Sequence, residues 1–595
     1  MPYRAPVSDI KFTLDTVAGL SKACADGLFG DLSDDLVAAV LEEAGKFATE
    51  VIAPLNRVGD THGTPFSDGA VKTPPGWKEA YTAWAAAGWN GLAAPPEWGG
   101  QGLPTVLNAA CFEMWNGASM AFGVGPLLTM SAIDLLAAHG SEALKATYLA
   151  KLVSGEWMGT MQLTESQAGS DVGALRTKAE RAGDGTYRIT GEKIFITYGE
   201  HDLTENIVHM VLARLPDAPP GARGLSLFLV PKFLVNPDGS LGARNDVRAQ
   251  SIEHKLGMHA SPTCTMVYGD HGGATGFLIG EENRGIACMF TMMNAARLDT
   301  GLQGVAVAEA ATQLAFDYAR ERHQGRLPGM PADQSVPIIA YPDVKRMLLR
   351  MKSRTKAARA ICYATAMAID RARRIEDPAA RKAAEERAAL LTPVAKAFSA
   401  DIGAEVASLA MQVHGGMGYI EETGIAQLYR DVRVAQIYEG TNGIQAIDLV
   451  TRKLPAGDGK PFAALLGELR GIVAEVEGEN DPGFGATGRR LETAVDSLQA
   501  AGEWLVERLA DAPDAALAGA SLYLRLFGFT AGGCLLAREA LAALHLQDGA
   551  AADAPSRIAL ARFFAESTAV LAPGFEKAIT EGGESVTTAD AVFAA

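Results

Sequence analysis

Residues 186–197 read TYRITGEKIFIT, a stretch in which apolar and polar residues alternate. Alternation with a period of two predicts β-strands, and Gly191-Glu192 in its middle predicts a turn between a pair of strands. Further short apolar runs of strand length lie at Ile207–Ala213, Leu225–Val230, Thr265–Tyr268 and Gly276–Gly280. The block from about Met158 to Gly280 is therefore predicted to form a compact β-domain or barrel.

The sequence on both sides of this block has the spacing of helices. Long amphipathic patterns lie at Ile286–His323, Asp343–Ile375 and Ala379–Val413, and a hinge rich in Gly, Pro and Asp at 455–461 precedes an Ala/Leu-rich block of about four more helices. The predicted fold class is α+β and multidomain. The predicted domains are an N-terminal helical domain (1–157), a middle β-domain (158–281), a helical-bundle domain (282–454) and an appended C-terminal helical domain (462–595).

Composition excludes several classes of function. The 595 residues carry 53 Lys+Arg against 70 Asp+Glu, a net charge of −17, so nucleic-acid binding is not expected. The N-terminus lacks the pattern of a signal peptide, and we find no apolar run of the ~18 residues that a membrane span needs. Six scattered cysteines form no CxxC pair, which predicts neither disulfides nor a metal site. We expect a cytoplasmic protein without membrane insertion.

Three segments carry residues suited to chemistry. Residues 163–171 read LTESQAGSD, where hydroxyls and free backbone N–H groups suit an anion or a flavin edge. Phe195-Ile196-Thr197 ends a predicted strand and can flank a planar ring. Glu439 precedes Gly440 and a helical pattern, so it can face a substrate as a base. Each segment also has an ordinary structural explanation when taken alone, such as a capped loop or a carboxylate placed before a helix.

Together these segments resemble the acyl-CoA dehydrogenase family. The resemblance covers about Leu36 to Leu454, with motifs in the family's order: GLAAPPEWGGQGL (91–103), LTESQAGSD (163–171) and QVHGGMGYIEETGIAQLYRDVRVAQIYEGTNGIQ (412–445). It implies FAD as cofactor and α,β-dehydrogenation of an acyl-CoA thioester to the trans-2-enoyl-CoA. In that reaction Glu439 would remove the α-proton, and flavin N5 would take the hydride from the β-carbon.

The resemblance also implies the remaining site residues. The expected FAD contacts within the chain are Met161, Leu163, Thr164, Ser170, Phe195, Ile196, Thr197 and Thr441. The expected substrate contacts are Ser170, Asn294, Arg297 and Gly440. Some relatives place the base immediately before the position of Arg297, where this sequence reads Asn294-Ala295-Ala296 without a carboxylate. Glu439 therefore has no competitor there.

Partners follow from the same resemblance. Arg322 and Gln324 match a motif that reaches the FAD of a neighbouring subunit, and Gln412, Gly415 and Gly416 match the motif around the ADP half. A homodimer is implied, with an electron-transferring flavoprotein as electron acceptor. We expect the appended domain to cover the surface that would otherwise form a tetramer.

The appended domain makes the chain similar to the long forms of the family. The stretches MPYRAPVSDIKF (1–12), EHKLGMHASPTC (253–264) and ARERHQGR (319–326) are most similar to the 3-methylmercaptopropionyl-CoA dehydrogenases. The implied substrate is that thioester or a short- or medium-chain acyl-CoA. Two alternatives stay open. An acyl-CoA oxidase of the same fold would pass electrons to oxygen, and a catalytically silent binding or scaffold protein would have kept only the fold.

Overall fold

The computed structural model describes residues 3–546 and 553–594. The first part is helical, apart from a small hairpin. Its elements, in chain order, are α1 (Val7–Thr13), α2 (Leu20–Ala25), α3 (Asp34–Lys46), α4 (Ala53–His62), β1 (Phe66–Ser67), β2 (Ala70–Val71), α5 (Trp77–Ala86), α6 (Thr105–Ala118), α7 (Met120–His139) and α8 (Glu142–Val153). Helices α6 and α7 are buried on nearly every side, because helix α9 (Gly285–Glu321) packs against both and strand β3 (Met158–Gln162) packs against α7.

The middle part is built from strands. They are β3 (Met158–Gln162), β4 (Lys178–Arg181), β5 (Tyr187–Thr197), β6 (Ile207–Arg214), β7 (Leu225–Pro231), β8 (Phe233–Val235), β9 (Leu241–Arg244), β10 (Val247–Ile252), β11 (Thr263–Tyr268) and β12 (Ala274–Ile279). The main sheet has the order β10-β11-β5-β12-β7-β6-β3, and β4 pairs with both β5 and β6. Strands β5, β12, β7, β6 and β4 therefore close into a ring, as expected for a barrel.

The predicted strand pair within residues 186–197 is wrong. The segment forms one continuous strand, β5, and Gly191 is the position where it changes partners. Before Gly191 the strand pairs with β4 and β12, and from Gly191 onward it pairs with β11. A Cβ at Gly191 would lie 2.6 Å from Thr177 Oγ1. The glycine is needed for this close approach and not for a reversal of the chain.

The helical bundle follows the β-domain. It consists of α9 (Gly285–Glu321), α10 (Pro342–Arg374), α11 (Pro378–His414), α12 (Ile425–Val432) and α13 (Asn442–Asp448). The three long amphipathic patterns are observed as α9, α10 and α11. The ends of α9 and α11 meet where the rings of Tyr318 and His414 stack at 4.3 Å.

The C-terminal part adds a second helical layer. Its helices are α14 (Lys460–Gly478), α15 (Thr487–Asp511), α16 (Pro513–His545), α17 (Ala554–Ser567), α18 (Ala572–Glu581), α19 (Gly583–Thr587) and α20 (Asp590–Phe593). Helix α16 packs against both α10 and α11. At that interface a Cβ at Gly528 would lie 2.2 Å from the ring of Phe398, and one at Gly532 would lie 2.8 Å from Ala357 Cβ. Small residues thus let the appended layer pack closely on the bundle, and the predicted fold class is confirmed.

One expectation about apolar segments is wrong. Three helical segments, Met120–His139, Pro513–His545 and Ala554–Glu581, are long and apolar enough by length and composition to cross a membrane. The first two are largely buried inside the protein, and the third is less than half buried. Burial against neighbouring helices accounts for the apolar character of the first two segments, because a helix that is apolar on all sides suits a protein core as well as a bilayer.

Candidate active site

Glu439 lies in a strained turn between α12 and α13. Its φ is +56°, in the left-handed region that non-glycine residues rarely adopt, and Gly440 follows with φ +82°. The positive φ favours glycine there, and a Cβ at Gly440 would lie 2.6 Å from Gln445 Nε2, so that side chain would have to shift. Thr441 Oγ1 accepts a hydrogen bond from the Ile444 N–H at 3.3 Å and caps α13. Backbone strain of this kind is concentrated at functional sites.

Two buried side chains, Lys396 and Gln445, hold this turn in place by hydrogen bonds. Lys396 Nζ donates to the Gly440 carbonyl oxygen at 2.7 Å and to Asn442 Oδ1 at 2.9 Å. Gln445 Nε2 donates to the Glu439 carbonyl oxygen at 3.2 Å. Both side chains are fully buried. The conformation of Glu439 is therefore fixed by hydrogen bonds to its own carbonyl and to that of Gly440.

The electrostatics suit a carboxylate that acts as a base. Burial raises the pKa of Glu439 above its ordinary value, while the cations Arg297 and Lys396 act in the opposite direction. A raised pKa makes the ionised carboxylate a stronger base. Arg297 is itself buried and its pKa is lowered by burial. Its Nη1 donates to Asn294 Oδ1 at 3.2 Å, so two of the predicted substrate residues form one unit beside Glu439.

A cavity of about 410 Å³ adjoins these substrate-side residues. Asn294 and Arg297 line it from α9, Ser131 from α7, and Asp448 from α13. The Oγ atom of Ser131 and the Nε atom of Arg297 are buried without a hydrogen-bond partner in the described residues. The cavity therefore offers polar groups as well as apolar walls beside Asn294 and Arg297, although Glu439 and Gly440 are not among the residues that line it.

The predicted flavin contacts of the β-domain lie side by side. The Ile194 N–H donates to the Thr164 carbonyl oxygen at 2.9 Å, and Thr160 Oγ1 donates to the Thr197 carbonyl oxygen at 2.7 Å. These bonds join β3 with Met161, and the segment after it with Leu163 and Thr164, to the end of β5, with Phe195, Ile196 and Thr197. Ser170 lies farther along the same loop and is exposed.

These residues fit a flavin. Phe195 has a φ of +59° and leaves 59% of its surface exposed, so a strained backbone presents an aromatic ring to the outside. Such a ring is suited to cover a planar cofactor. The hydroxyls of Thr164 and Thr197 and the backbone N–H groups of the same segments supply donors of the kind that an isoalloxazine edge accepts.

The remaining predicted cofactor residues lie elsewhere. Arg322 and Gln324 are exposed just beyond the end of α9, while Gln412, Gly415 and Gly416 lie at the end of α11. At 1.5 Å rise per residue, Arg322 lies about 37 Å along α9 from Arg297. The two helix ends meet through Tyr318 and His414, so this second group is brought together, but away from Glu439. Open space surrounds Gly415 and Gly416.

A buried ion pair supports the flavin-facing loop and was not predicted from the sequence. Lys193 Nζ donates to Glu165 Oε1 at 2.9 Å and to the Leu163 carbonyl oxygen at 3.0 Å. Glu165 also accepts from the backbone N–H groups of Arg176 and Thr177 at 2.7 and 3.0 Å. Together these bonds lower the pKa of Glu165 to about 2, against the opposing effect of its burial. The sequence did contain a sign of this ion pair, because Lys193 is a charged residue next to the apolar residues that end β5.

Replacing Glu165 should loosen this loop. E165Q keeps the volume and some acceptors but leaves Lys193 buried without its anion, so we expect FAD to dissociate about tenfold more readily, equivalent to about 1.4 kcal/mol. The contribution of the carboxylate is fully present above its ordinary pKa of 4.5 and is lost as the pH falls toward 2. Flavin fluorescence released on dilution measures the effect. The matched control is E180Q, at an exposed position on β4; equal FAD retention in both variants would exclude this role.

Comparison with known proteins places this arrangement in a family. Four family models match the chain in order: "Acyl-CoA dehydrogenase, N-terminal domain" at 36–156, the middle domain at 160–271, the C-terminal domain at 283–454, and "Acetyl-CoA dehydrogenase C-terminal like" at 465–590. Together they cover most of the sequence, including the appended domain.

Individual relatives agree with these models. A 3-methylmercaptopropionyl-CoA dehydrogenase of Ruegeria pomeroyi is 47% identical over 99% of this chain and 100% of its own length. A butyryl-CoA dehydrogenase of Syntrophomonas wolfei is 37% identical over 81% and 80%. The crystal structure of an acyl-CoA dehydrogenase complexed with FAD from Bacillus anthracis has a TM-score of 0.74 at 21% identity, over 92% of this chain and 88% of that one, which shows a shared fold. The chain therefore belongs to the acyl-CoA dehydrogenase family, FAD-dependent enzymes that dehydrogenate acyl-CoA thioesters.

Proposed function

We propose that Glu439 is the catalytic base of this acyl-CoA dehydrogenase and that its substrate is 3-methylmercaptopropionyl-CoA or a short- to medium-chain acyl-CoA. The observation that carries the proposal is the turn at Glu439, a strained carboxylate flanked by the buried cations Arg297 and Lys396. The name of the 47% identical relative supports the thioether substrate. The name of the butyryl-CoA relative supports the alternative, a substrate with a short straight acyl chain.

The chain's own residues have defined tasks in this reaction. An α-proton beside a thioester is only weakly acidic, so its removal needs a base held close to the α-carbon and donors aimed at the thioester oxygen. Glu439 takes the proton onto its carboxylate, and its turn is held by Lys396 and Gln445. The unit of Asn294 and Arg297 lines the substrate side. When bound, FAD supplies the oxidising capacity by accepting hydride from the β-carbon.

An anaerobic titration tests the substrate. The FAD-loaded protein is mixed separately with 3-methylmercaptopropionyl-CoA, butyryl-CoA, octanoyl-CoA and palmitoyl-CoA, and the rate of flavin bleaching is compared. Fastest bleaching by the thioether substrate supports the thioether assignment, and fastest bleaching by a short or medium straight chain supports the alternative. Preference for palmitoyl-CoA, or no bleaching with any of them, contradicts the proposal.

We further propose an electron-transferring flavoprotein as the electron acceptor. The resemblance stated from the sequence supports this partner. Reoxidation of the reduced enzyme is compared with an electron-transferring flavoprotein and with air-saturated buffer. Fast reoxidation by the flavoprotein with little peroxide is the expected result, whereas rapid formation of peroxide would identify an oxidase.

We propose a homodimer in the cytoplasm. Arg322, Gln324, Gly415 and Gly416 are exposed far from their own Glu439, and Tyr419 beside them leaves 86% of its surface exposed. A second copy that brings its FAD to this end of the bundle would cover them. Light scattering should give a native mass about twice the chain mass of 62.4 kDa, and a tetrameric mass would contradict the proposal. The six cysteines, all free thiols, support a reducing compartment.

A further inference from the structure

Lys396 is a fully buried lysine, which is unusual for a charged side chain. It lies on α11 within the apolar run from Leu390 to Phe398, and no part of its side chain is exposed. Burial of an ammonium group is costly unless hydrogen bonds and opposite charge compensate for it. Here Nζ donates to the Gly440 carbonyl oxygen and to Asn442 Oδ1, both in the segment that follows Glu439.

The charges around Lys396 and Glu439 come from α7, α9, α11 and the turn itself. Burial lowers the pKa of Lys396 to about 7, Glu439 and Asp401 favour its charged form, and Arg297 of α9 disfavours it. Asp401 accepts from the side-chain amide of Asn442 at 2.7 Å. On α9, the pKa of buried Asp299 is raised by burial and by nearby Asp134 and Glu439. Below about pH 7 the lysine therefore carries its proton beside the carboxylate.

The hydrogen bonds of Lys396 also act on the backbone. Glu439 and Gly440 are consecutive left-handed residues, and a non-glycine residue in that region costs about 1–3 kcal/mol unless its surroundings hold it. The bond from Nζ to the Gly440 carbonyl fixes the orientation of the peptide that follows Glu439. One side chain thus contacts the strained turn and places a positive charge near its carboxylate.

We propose that Lys396 is a positioning residue for Glu439, which fixes the turn by hydrogen bonds and whose charge stabilises the ionised carboxylate, so that the base loses its proton at a lower pH than it would without the lysine. This inference rests on the proposed function, in which Glu439 removes the α-proton.

The test uses two variants in the full-length, FAD-loaded protein. K396Q keeps a donor for the Gly440 carbonyl but removes the charge, and K396M removes both. The matched control is K382M, an exposed lysine on the same helix. The acidic limb of the pH profile of kcat/KM for 3-methylmercaptopropionyl-CoA reports the ionisation of the base in the free enzyme. Loss of the cation raises the pKa of Glu439, so this limb should move up by about one pH unit in both variants.

A second readout separates proton removal from oxidation. In 3-thiabutyryl-CoA a sulfur replaces the β-carbon, so no hydride can leave, and exchange of its α-protons in D₂O followed by NMR measures the base alone. The exchange profile should shift in K396Q by the same amount as the kcat/KM profile, and K382M should match the wild type. If K396Q slows exchange equally at every pH without moving the limb, Lys396 is only structural and the proposal is overturned. If the wild type does not exchange the α-protons, the role of Glu439 fails, and the inference fails with it.

Discussion

E439Q should reduce the rate of flavin bleaching by acyl-CoA by about 10²- to 10⁴-fold, the range expected when a general base is removed. Glutamine keeps the size of the side chain and the hydrogen bonds that Lys396 and Gln445 make to the backbone of the turn. We therefore expect the variant to bind FAD and acyl-CoA with little change. Stopped-flow absorbance under anaerobic conditions measures the loss directly.

The pH dependence provides an independent check of the same assignment. Because burial raises the pKa of Glu439, the wild-type rate should rise with pH through a value above the ordinary 4.5 of a free glutamate. The residual rate of E439Q should not show this rise. E422Q, at an exposed position earlier in the same region, is the matched control and should behave as the wild type. An E439Q enzyme with near wild-type rates would remove Glu439 from the mechanism.

R359M should destabilise the protein by about 3–5 kcal/mol, the cost of leaving a buried charge without its partner. Arg359 of α10 and Glu113 of α6 are both completely buried, and their closest contact is 2.6 Å. Arg359 also pairs with Asp9 of α1 and with Glu309 of α9, each at 3.0 Å. Burial raises the pKa of Glu113, and Arg359 is the cation that opposes this effect. Without the arginine, Glu113 would take up a proton or remain as an isolated charge.

Thermal unfolding of the FAD-loaded protein measures this effect. Because a protonated Glu113 no longer needs a cation, the difference between R359M and the wild type should shrink as the pH falls. The double variant E113L/R359M should recover much of the loss, since apolar replacement of a whole buried pair is often neutral. R470M removes an exposed pair with Asp496 and should cost less than about 1 kcal/mol. A loss in R359M no larger than that of R470M would show that the buried pair contributes little.

The local sequence pattern predicted the positions of helices and strands well, but it predicted poorly which of them pack or pair with one another. The spacing of apolar residues located α9, α10 and α11 because helices of this length impose a clear period on the sequence. The glycine at position 191 was misinterpreted, since a turn and a close packing contact both favour glycine. Likewise α7 and α16 each contain a stretch long and apolar enough to cross a membrane, and sequence composition does not distinguish a buried core helix from a membrane span.

The residues of the site also fall into two groups, those that the sequence predicted and those that it did not. The motif around Glu439 was recognisable because its residues are contiguous, and so were Thr164 and Phe195-Thr197. Lys396 and the pair of Glu165 with Lys193 were missed. Lys396 contacts a turn 44 residues away, and Glu165 and Lys193 are separated by 28 residues. Such contacts are set by the packing of helices and strands, which a single sequence does not specify.

The ion network around Asp9 joins segments that the ribosome synthesises at very different times. Arg557 Nη2 donates to Asp9 Oδ1 at 2.9 Å across 548 positions of sequence, and Lys356 contacts the same carboxylate. At ribosomal speeds of about 5–20 residues per second, the first helix waits roughly half a minute to two minutes for the arginine that completes its charge pairing. During that interval the nascent amino-terminal segment holds a carboxylate whose final partner has not yet been synthesised, so the charge pairing of the first helix is completed only near the end of synthesis.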